Sequence, residues 1–482
     1  MSRELILALD LGTTSVRALA VAPDGRIVAR EQAPLETRYP RPGWVEQDPD
    51  ALVAGSTAVL RAVLASARAT ARDVAALGIV TQRASALCWD ARSLRPLAPA
   101  QVWQDQRSAE RVARLRALGV PITTQASATK LEWWLQHDGA VQEAARAGTL
   151  RLGTPDAWLA AKLGDDGAAV TDPGNASCTA LFDAAKGEWA QGLLDLFGVP
   201  RAALPTVVPT SAAVGATRAD LLGAPVPLAA RAGDQQAAAF AQGVYARGDA
   251  KLTLGTSAML DVHTGESVAE PAPGSYPLAL WTLGDGARAF CLEGTVFTAG
   301  SAIDWLIELG VARDPAEVSR LAASAASSGG VRFVPALQGL GTPWLDDAAR
   351  GAFLGLSRAS GKAELARAVL EGIAQRCADI CEALPLAEGP LRVDGGLAQS
   401  DFLLRALADL SGREILRAAE VEATALGAAF LAGLAVGTWT TPRACLALVS
   451  PSARVAPGIG PAERAAERDA WGAAVNHLRA SP

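Results

Sequence analysis

An acid followed by a run of hydroxyl residues stands near the start of the chain, in the segment LALDLGTTSVRALAV. The apolar run over residues 5–9 predicts a buried strand, and we expect it to end at Asp10, because a buried charge is costly unless it is solvated, paired or bound to a cation. Gly12 permits a tight turn. Three hydroxyl residues follow it: Thr13, Thr14 and Ser15. An acid beside such a donor-rich hairpin is the arrangement that magnesium and a phosphate tail require, although an ordinary polar turn also explains this stretch taken alone.

The same pattern of strand, glycine turn and strand returns in the second half of the chain. Residues 249–265 read DAKLTLGTSAMLDVHTG, with a Gly-Thr-Ser turn between two apolar strands. A third glycine turn, residues 394–396, joins a strand to a helix whose leucines share one face. The chain therefore predicts a duplicated α/β unit, with one phosphate-type hairpin near the start of each half and a nucleotide held between two domains. We place the boundary near residues 243–250.

The composition narrows the choice of partners. The 482 residues are enough for two domains, and half of them are hydrophobic, as is ordinary for a globular protein. A net charge of −6 without a polybasic run argues against a nucleic-acid partner. The longest uncharged stretch, ATALGAAFLAGLAVGTWTTP, predicts a tightly packed buried helix rather than a membrane span. Six cysteines form no CxxC pair and no Cys/His cluster, so we expect no zinc site and a location in the reducing cytoplasm.

A dozen segments in chain order resemble the FGGY carbohydrate kinases and, among them, the glycerol kinases. They include VTQRASALCWD, VWQDQR, TDPGNAS, AGDQQAA, LGTSAM and LEGTVFTAGSAIDWL, and GAFLGLSRASGKAELARAVLE fits the second family signature throughout. QASATKLEWWLQH fits the first signature only loosely. The resemblance implies an α/β fold of two actin-like, ribonuclease-H-like domains, residues 1–245 and 246–482, with an ATP cleft between them. It implies ATP-dependent phosphorylation of a primary hydroxyl of a small polyol or sugar, and it is compatible with a homo-oligomer.

Carried over position by position, the resemblance assigns the nucleotide site. Asp10 would act on Mg²⁺, through water. The positions that would contact ATP are Thr13, Thr14, Ser15, Arg17, Gly255, Thr256, Gly300, Asp304, Gly395, Gly396 and Ser400. Two of them depart from the glycerol kinases, which have Gln at position 304 and Asn at position 400. Backbone contacts at the glycines do not depend on these side chains, so we expect ATP use to be retained.

The resemblance makes Asp234, in AGDQQAA, the general base that accepts the proton of the attacking hydroxyl. Gln235 beside it would hydrogen-bond the substrate. Histidine is a poor alternative, because none of the three histidines lies in a motif of this kind: His137, His263 and His477. Aspartate is also a favoured helix N-cap, so a capping role before QQAAAFAQG is the structural alternative, and the two roles are compatible.

The acceptor pocket is where this chain departs from the glycerol kinases. Six residues would line it: Arg83, Ala84, Trp103, Gln125, Asp234 and Gln235. Glycerol kinases have Glu in place of Ala84 and Tyr in place of Gln125, while Trp103 is suited to pack against the carbons of a polyol. Loss of a carboxylate and a phenol removes partners for particular hydroxyls and leaves room for more carbons. We therefore hypothesise an acceptor longer than glycerol, a tetritol or a ketopentose, with a strict glycerol kinase as the alternative.

Two other function classes stay open on the sequence. A catalytically silent, ligand-binding relative would not need Asp10, Arg17 and Asp234, which are all present. A different actin-fold ATPase, such as a chaperone or a filament former, would lack the VWQDQR and AGDQQ segments. A dinucleotide-binding enzyme is disfavoured, because DLGTTS lacks the GxGxxG pattern after its strand.

Overall fold

The computed structural model describes residues 4–419 and 422–480, and within these ranges the chain forms 22 strands and 16 α-helices. The strands are β1 Leu5–Leu11, β2 Ser15–Val21, β3 Ile27–Pro34, β4 Glu46–Gln47, β5 Val74–Thr81, β6 Leu87–Asp90, β7 Ala100–Gln101, β8 Leu150–Gly153, β9 Val170–Thr171, β10 Phe182–Asp183, β11 Glu188–Trp189, β12 Thr206–Val207, β13 Leu228–Gly233, β14 Ala250–Leu254, β15 Ala258–Gly265, β16 Tyr276–Thr282, β17 Arg288–Val296, β18 Arg332–Val334, β19 Ala352–Leu354, β20 Leu391–Asp394, β21 Ile415–Arg417 and β22 Ala453–Val455. The helices are α1 Pro49–Ser66, α2 Ala109–Ala117, α3 Ser127–His137, α4 Gly139–Arg146, α5 Pro155–Leu163, α6 Pro173–Ser177, α7 Gln191–Phe197, α8 Ala219–Leu222, α9 Asp234–Ala241, α10 Gly300–Glu308, α11 Pro315–Ser324, α12 Lys362–Ala383, α13 Asp401–Ser411, α14 Ala423–Ala435, α15 Pro442–Leu446 and α16 Pro461–Ala480.

Two large sheets share one topology. The first has the strand order β13-β5-β1-β2-β3, with β1 antiparallel to β2 and parallel to β5. The second has the order β16-β17-β15-β14-β20-β21-β22, with β14 antiparallel to β15 and parallel to β20. In each sheet a central strand continues through a glycine hairpin into an antiparallel neighbour and has a parallel strand on its other side. This common order confirms the predicted duplication of an α/β unit.

The strand before the first glycine turn is longer than the sequence suggested. β1 continues through Asp10 to Leu11, so the expectation that the acid ends the strand is wrong. Asp10 lies opposite Arg17 of β2 in the ladder, and the two side chains form an ion pair at 3.5 Å. Because the cation offsets part of the cost of burying the carboxylate, the strand can continue past it.

Helix α14 joins the second half of the chain to the first sheet. It packs on β1, β5 and β13 and on α9, and its residues from Ala425 to Gly433 are buried, which confirms the prediction of a buried helix. Glycines permit this approach: a Cβ at Gly427 would lie 1.9 Å from the carbonyl oxygen of Ala237. Among the described residues, no helix combines the length and the apolar composition that a bilayer crossing requires.

The predicted domain boundary at residues 245/246 falls between the two sheets along the chain. β13 and α9 precede it, and β14 follows it. The boundary itself stays a prediction, and the outermost residues of the predicted domains, 1–3 and 481–482, lie outside the described residues.

Candidate active site

Two glycine hairpins, one from each sheet, form the ends of the central strands. In the first, the N–H of Gly12 donates to the carbonyl of Ser15 at 3.0 Å, and in the second the N–H of Gly255 donates to the carbonyl of Ser257 at 2.9 Å. The first turn of α10 packs on the second hairpin. The N–H of Gly300 donates to the Gly255 carbonyl at 2.9 Å, and a Cβ at Gly300 would approach that oxygen to 2.7 Å. The structure thus places Gly255 and Gly300 side by side; their contact with a nucleotide stays a prediction.

The third glycine turn lies next to the second hairpin. Gly395 adopts a left-handed φ of 90°, and a Cβ there would lie 2.4 Å from the carbonyl oxygen of Leu254 at the end of β14. A Cβ at Gly396 would meet no atom within 4 Å, so this position faces open space. The carbonyl of Thr256 accepts a hydrogen bond from the N–H of Ser301 at 3.1 Å, which fixes the hairpin on α10. Glycine is required at position 395 by both its φ and its packing, and the open face at Gly396 leaves space for a ligand.

Asp304 and Ser400, the two nucleotide-site positions that depart from the glycerol kinases, lie on helices near these turns. Ser400 is the N-cap of α13: its hydroxyl accepts from the N–H of Leu403 at 3.2 Å and from the hydroxyl of Ser319 at 2.9 Å. Asp304 is exposed one turn beyond the start of α10. Ser400 therefore has a structural role that is independent of any nucleotide.

The hydroxyls of the first hairpin differ in their surroundings. Thr14 is exposed at the tip, while Ser15 begins β2 and is buried. The hydroxyl of Thr13 donates to Oε1 of Gln82 at 3.1 Å and accepts from the indole N–H of Trp103 at 3.0 Å. Trp103, predicted to lie in the acceptor pocket, thus contacts the predicted phosphate hairpin directly.

Asp10 is a buried acid with charged groups around it. Burial raises its pKa to about 7, with Arg17 opposing this rise and Asp234 and Glu422 adding to it. Arg17 also forms an ion pair with Glu422 at 3.0 Å, at the N-terminus of α14. The Asp10 carboxylate accepts no hydrogen bond from any residue in 4–419 or 422–480, so its lone pairs are available to another partner.

Asp10 and the first glycine hairpin fit a Mg²⁺ ion that takes most of its ligands from a nucleotide. No cluster of three or more His, Cys, Asp or Glu side chains that could hold a metal occurs within the described ranges. Mg²⁺ is commonly held by one or two carboxylates together with phosphate oxygens and water. A single carboxylate at Asp10, beside a hydroxyl hairpin, matches that pattern.

Asp234 is the first residue of α9, and the N-cap is Gly233. Asp234 therefore does not occupy the N-cap position considered from the sequence, and no side chain caps this helix at Gly233. The Asp234 side chain is one-third exposed, and its Oδ1 accepts from the N–H of Gln235 at 2.7 Å. Oδ1 also lies 3.1 Å from Nε of Arg83. A carboxylate that is partly exposed and fixed in direction can reach a bound hydroxyl and accept its proton.

Arg83 connects Asp234 to an acid from the other sheet. Its Nη2 lies 2.7 Å from Oε2 of Glu293 on β17, and both side chains are only 9% exposed. Two sulfurs border the same guanidinium: Nη1 donates to Sγ of Cys178 at 3.7 Å and Nη2 to Sδ of Met259 at 3.5 Å. A guanidinium has five N–H groups, so one, on Nη1, remains for an acceptor hydroxyl after the two carboxylate and two sulfur contacts.

Gln235 is also held by the second sheet. Its Oε1 accepts from Nζ of Lys251 at 2.5 Å and from the hydroxyl of Thr253 at 3.0 Å, both on β14. Lys251 is fully buried and forms an ion pair with Asp261 at 3.4 Å. Asp261 in turn lies directly opposite Glu293 in the ladder between β15 and β17. A network of buried charges therefore contacts both Arg83 and Gln235.

Ala84 and Gln125, the two acceptor-pocket positions that depart from the glycerol kinases, are close together. Ala84 adopts a left-handed φ of 60°, and its carbonyl accepts from the hydroxyl of Ser127 at 3.1 Å. Ser127 begins α3, two residues after Gln125. The Gln125 carbonyl accepts from Nζ of Lys130 at 2.7 Å, and the same ammonium donates to two further carbonyls of this loop. The loop that carries Gln125 is thus fixed by a buried lysine.

Sequence reasoning missed Glu293 and Lys251. Each is a charged residue within an otherwise apolar strand, Lys251 in AKLTL and Glu293 in RAFCLEGTV. The same signal drew attention to Asp10. Buried charges in strands need partners, so both were detectable as candidates, but their partners in the first half of the chain, Arg83 and Gln235, were not.

The comparisons with known proteins agree with this arrangement. The model of the FGGY family of carbohydrate kinases, N-terminal domain, matches residues 5–241, and the model of the C-terminal domain matches residues 250–436. The glycerol kinase of Aromatoleum aromaticum is 45% identical over 455 residues, 90% of each chain, and that of Janthinobacterium sp. is 39% identical over 99% of each.

Solved structures show the same fold. The glycerol kinase of Plasmodium falciparum with ADP superimposes with a TM-score of 0.92 at 27% identity, covering 98% of each chain. A xylulose kinase from Brucella ovis gives a TM-score of 0.86, also at 27% identity, over 99% of each chain. The two-sheet architecture is therefore the actin-like fold of the sugar kinases. The chain belongs to the FGGY family of carbohydrate kinases.

Proposed function

We propose that the protein transfers the γ-phosphoryl group of ATP to a primary hydroxyl of glycerol or a related small polyol, with Mg²⁺ as counter-ion of the nucleotide. The observation that carries this proposal is the setting of Asp234. Its partly exposed carboxylate lies at the start of α9, between Arg83 and Gln235, in a chain whose two sheets each end a central strand in a glycine hairpin. The relatives named glycerol kinase and the similar ADP-bound structure support the same reaction.

Each group has a role that follows from its position. Asp234 accepts the proton of the attacking hydroxyl, and its bonds to Arg83 and to the Gln235 backbone fix its direction. Arg83 and Gln235 donate hydrogen bonds to oxygens of the acceptor. Arg17 and the backbone N–H groups of the glycine hairpins bind phosphate oxygens. Phosphoryl transfer depends mainly on such positioning and on charge stabilisation.

Asp10 would hold Mg²⁺ through water, and the ion would supply positive charge that offsets the charge of the transferred phosphoryl group. Arg17, 3.5 Å from Asp10 and 3.0 Å from Glu422, orients the carboxylate and provides a second positive charge at the phosphates.

The identity of the acceptor depends on the side chains that line its pocket. Ala84 and Gln125 lack the carboxylate and the phenol of the glycerol kinases, which favours an acceptor with more carbons, whereas the relatives at 39–45% identity are named glycerol kinases. We therefore propose glycerol as one substrate and keep the tetritols and ketopentoses as its competitors. A cytoplasmic location accompanies the proposal and is supported by six free cysteines.

The experiment is a screen of ADP release with ATP and Mg²⁺ against glycerol, tetritols, pentitols and ketopentoses. The proposal predicts acceptor-dependent ADP release that requires Mg²⁺. ADP release that is equally fast without any acceptor contradicts it and favours an actin-fold ATPase of another kind. A protein that binds a polyol but releases no ADP would be a catalytically silent relative.

A further inference from the structure

Gln235 has a side-chain amide that two groups of the second sheet hold in one orientation. Its Oε1 lies 2.5 Å from Nζ of Lys251 and 3.0 Å from Oγ1 of Thr253. A lysine ammonium has three donors and no acceptor. The amide atom that faces Lys251 must therefore be the oxygen, and a flipped amide, which would direct its NH₂ group at the ammonium, is excluded.

The lysine is itself fixed. Lys251 is fully buried on β14, and Asp261 of the adjacent strand β15 lies 3.4 Å from its Nζ. Thr253 is two residues further along β14, so both donors project from the same face of that strand. The two contacts therefore come from one rigid element, and Gln235 is their shared acceptor.

The NH₂ group is the other half of the Gln235 amide. Among the described residues, Nε2 of Gln235 has no hydrogen-bond partner, because every side-chain bond of Gln235 uses Oε1. Gln235 is only partly buried and directly follows Asp234. Its NH₂ group is thus the free donor next to the proposed base.

We propose that Lys251 and Thr253 are positioning residues for the acceptor site: by holding Oε1 of Gln235 they present its NH₂ group to an acceptor oxygen. This inference rests on the proposed function and adds a requirement to it. The acceptor must carry, near the phosphorylated hydroxyl, an oxygen with a free lone pair, either hydroxyl or carbonyl. Lys251 and Thr253 act through Gln235 and do not contact the acceptor.

Thr253→Val is the most direct perturbation, because it keeps the shape of the side chain and removes one of the two donors to Oε1. The loss of one neutral hydrogen bond predicts a fall of about 3- to 10-fold in acceptor kcat/KM, mostly through KM, with the KM for ATP unchanged. The matched control is Thr264→Val on β15 of the same sheet, since the Thr264 hydroxyl is buried without a partner. This control should retain wild-type acceptor kinetics.

A double-mutant cycle separates positioning from general stability. In a Gln235→Ala background Thr253→Val should have no further effect on acceptor kcat/KM, within about twofold, because the group on which it acts is gone. Gln235→Glu keeps an oxygen for Lys251 but has no N–H, so it should lose at least about 10-fold in acceptor kcat/KM. Lys251→Met should lower acceptor kcat/KM further than Thr253→Val does. Because this change leaves Asp261 buried without its cation, its kinetics are interpreted only if circular dichroism shows a folded protein.

The outcomes are distinct. An active wild-type enzyme whose Thr253→Val variant is unchanged, or whose loss persists in the Gln235→Ala background, overturns the positioning role alone. A fully active Gln235→Glu variant overturns the donor role. A wild-type enzyme that phosphorylates none of the acceptors overturns the proposed function and this inference with it.

Discussion

Replacement of Glu293 by glutamine tests the charge network around the acceptor site. Glu293 Oε2 lies 2.7 Å from Nη2 of Arg83, and each side chain is 9% exposed, so the contact is protected from solvent screening. Glu293→Gln keeps the shape and one acceptor oxygen but removes the charge. A hydrogen bond to a charged group contributes about 1.5–3 kcal/mol and a neutral one about 1 kcal/mol. The difference, about 0.5–2 kcal/mol, predicts a fall of roughly 2- to 30-fold in acceptor kcat/KM.

The assay is acceptor-dependent ADP release at about pH 8, with the KM for ATP measured in parallel. The matched control is Glu371→Gln, which neutralises the acid of another Arg–Glu pair, Arg367 and Glu371 on α12, and should leave both constants unchanged. Burial raises the pKa of Glu293, with Arg83 opposing the rise and Asp261 adding to it. Protonated Glu293 resembles glutamine, so the ratio between wild type and variant should narrow as the pH falls. A variant whose acceptor kcat/KM equals that of the wild type at this pH would refute the role assigned to this contact.

Three further changes probe the fold, the acceptor and the metal site. Gly427→Ala would place a Cβ 1.9 Å from a backbone carbonyl of α9 and should lower the free energy of unfolding in urea by at least about 1–3 kcal/mol. The control Gly192→Ala, which has no atom near its Cβ, should not lower it. Equal stabilities of the two variants would contradict the packing described for α14. Ala84→Glu with Gln125→Tyr should shift kcat/KM towards glycerol over tetritols by roughly tenfold, and an unchanged ratio would remove these positions from the pocket. Burial raises the pKa of Asp10 to about 7, so in the ligand-free protein its contribution to the free energy of unfolding is present at low pH and is lost as the pH rises towards and through 7. Relative to Asp10→Asn, the wild type should therefore lose on the order of 2–4 kcal/mol between about pH 4 and pH 8, and parallel pH profiles would contradict the shift.

More of the fold than of the site could be predicted from the sequence. Glycine turns between apolar strands predicted both hairpins, and Leu403, Leu404 and Leu407 predicted the buried face of α13. The end of β1 was predicted one residue early, because the cross-strand partner of Asp10 depends on register. Local patterns do not encode such pairings.

The acceptor site shows the same limit more clearly. Asp234 and Gln235 could be named from one short segment, but the groups that orient their neighbourhood, Lys251 and Glu293, lie on strands of the other sheet. Only the arrangement of the two sheets brings them within hydrogen-bonding distance. Their charge within apolar strands marked them as unusual; their role required the three-dimensional structure.

Asp234→Asn tests whether Asp234 is the base for phosphoryl transfer to a polyol. Asparagine keeps an acceptor oxygen for the Gln235 N–H but takes up no proton. The measurement is the acceptor-dependent kcat of the variant, together with its dissociation constant for ATP with Mg²⁺. We expect a fall in kcat of about 100- to 10,000-fold with ATP binding within about twofold of wild type. A kcat within about threefold of wild type would contradict it.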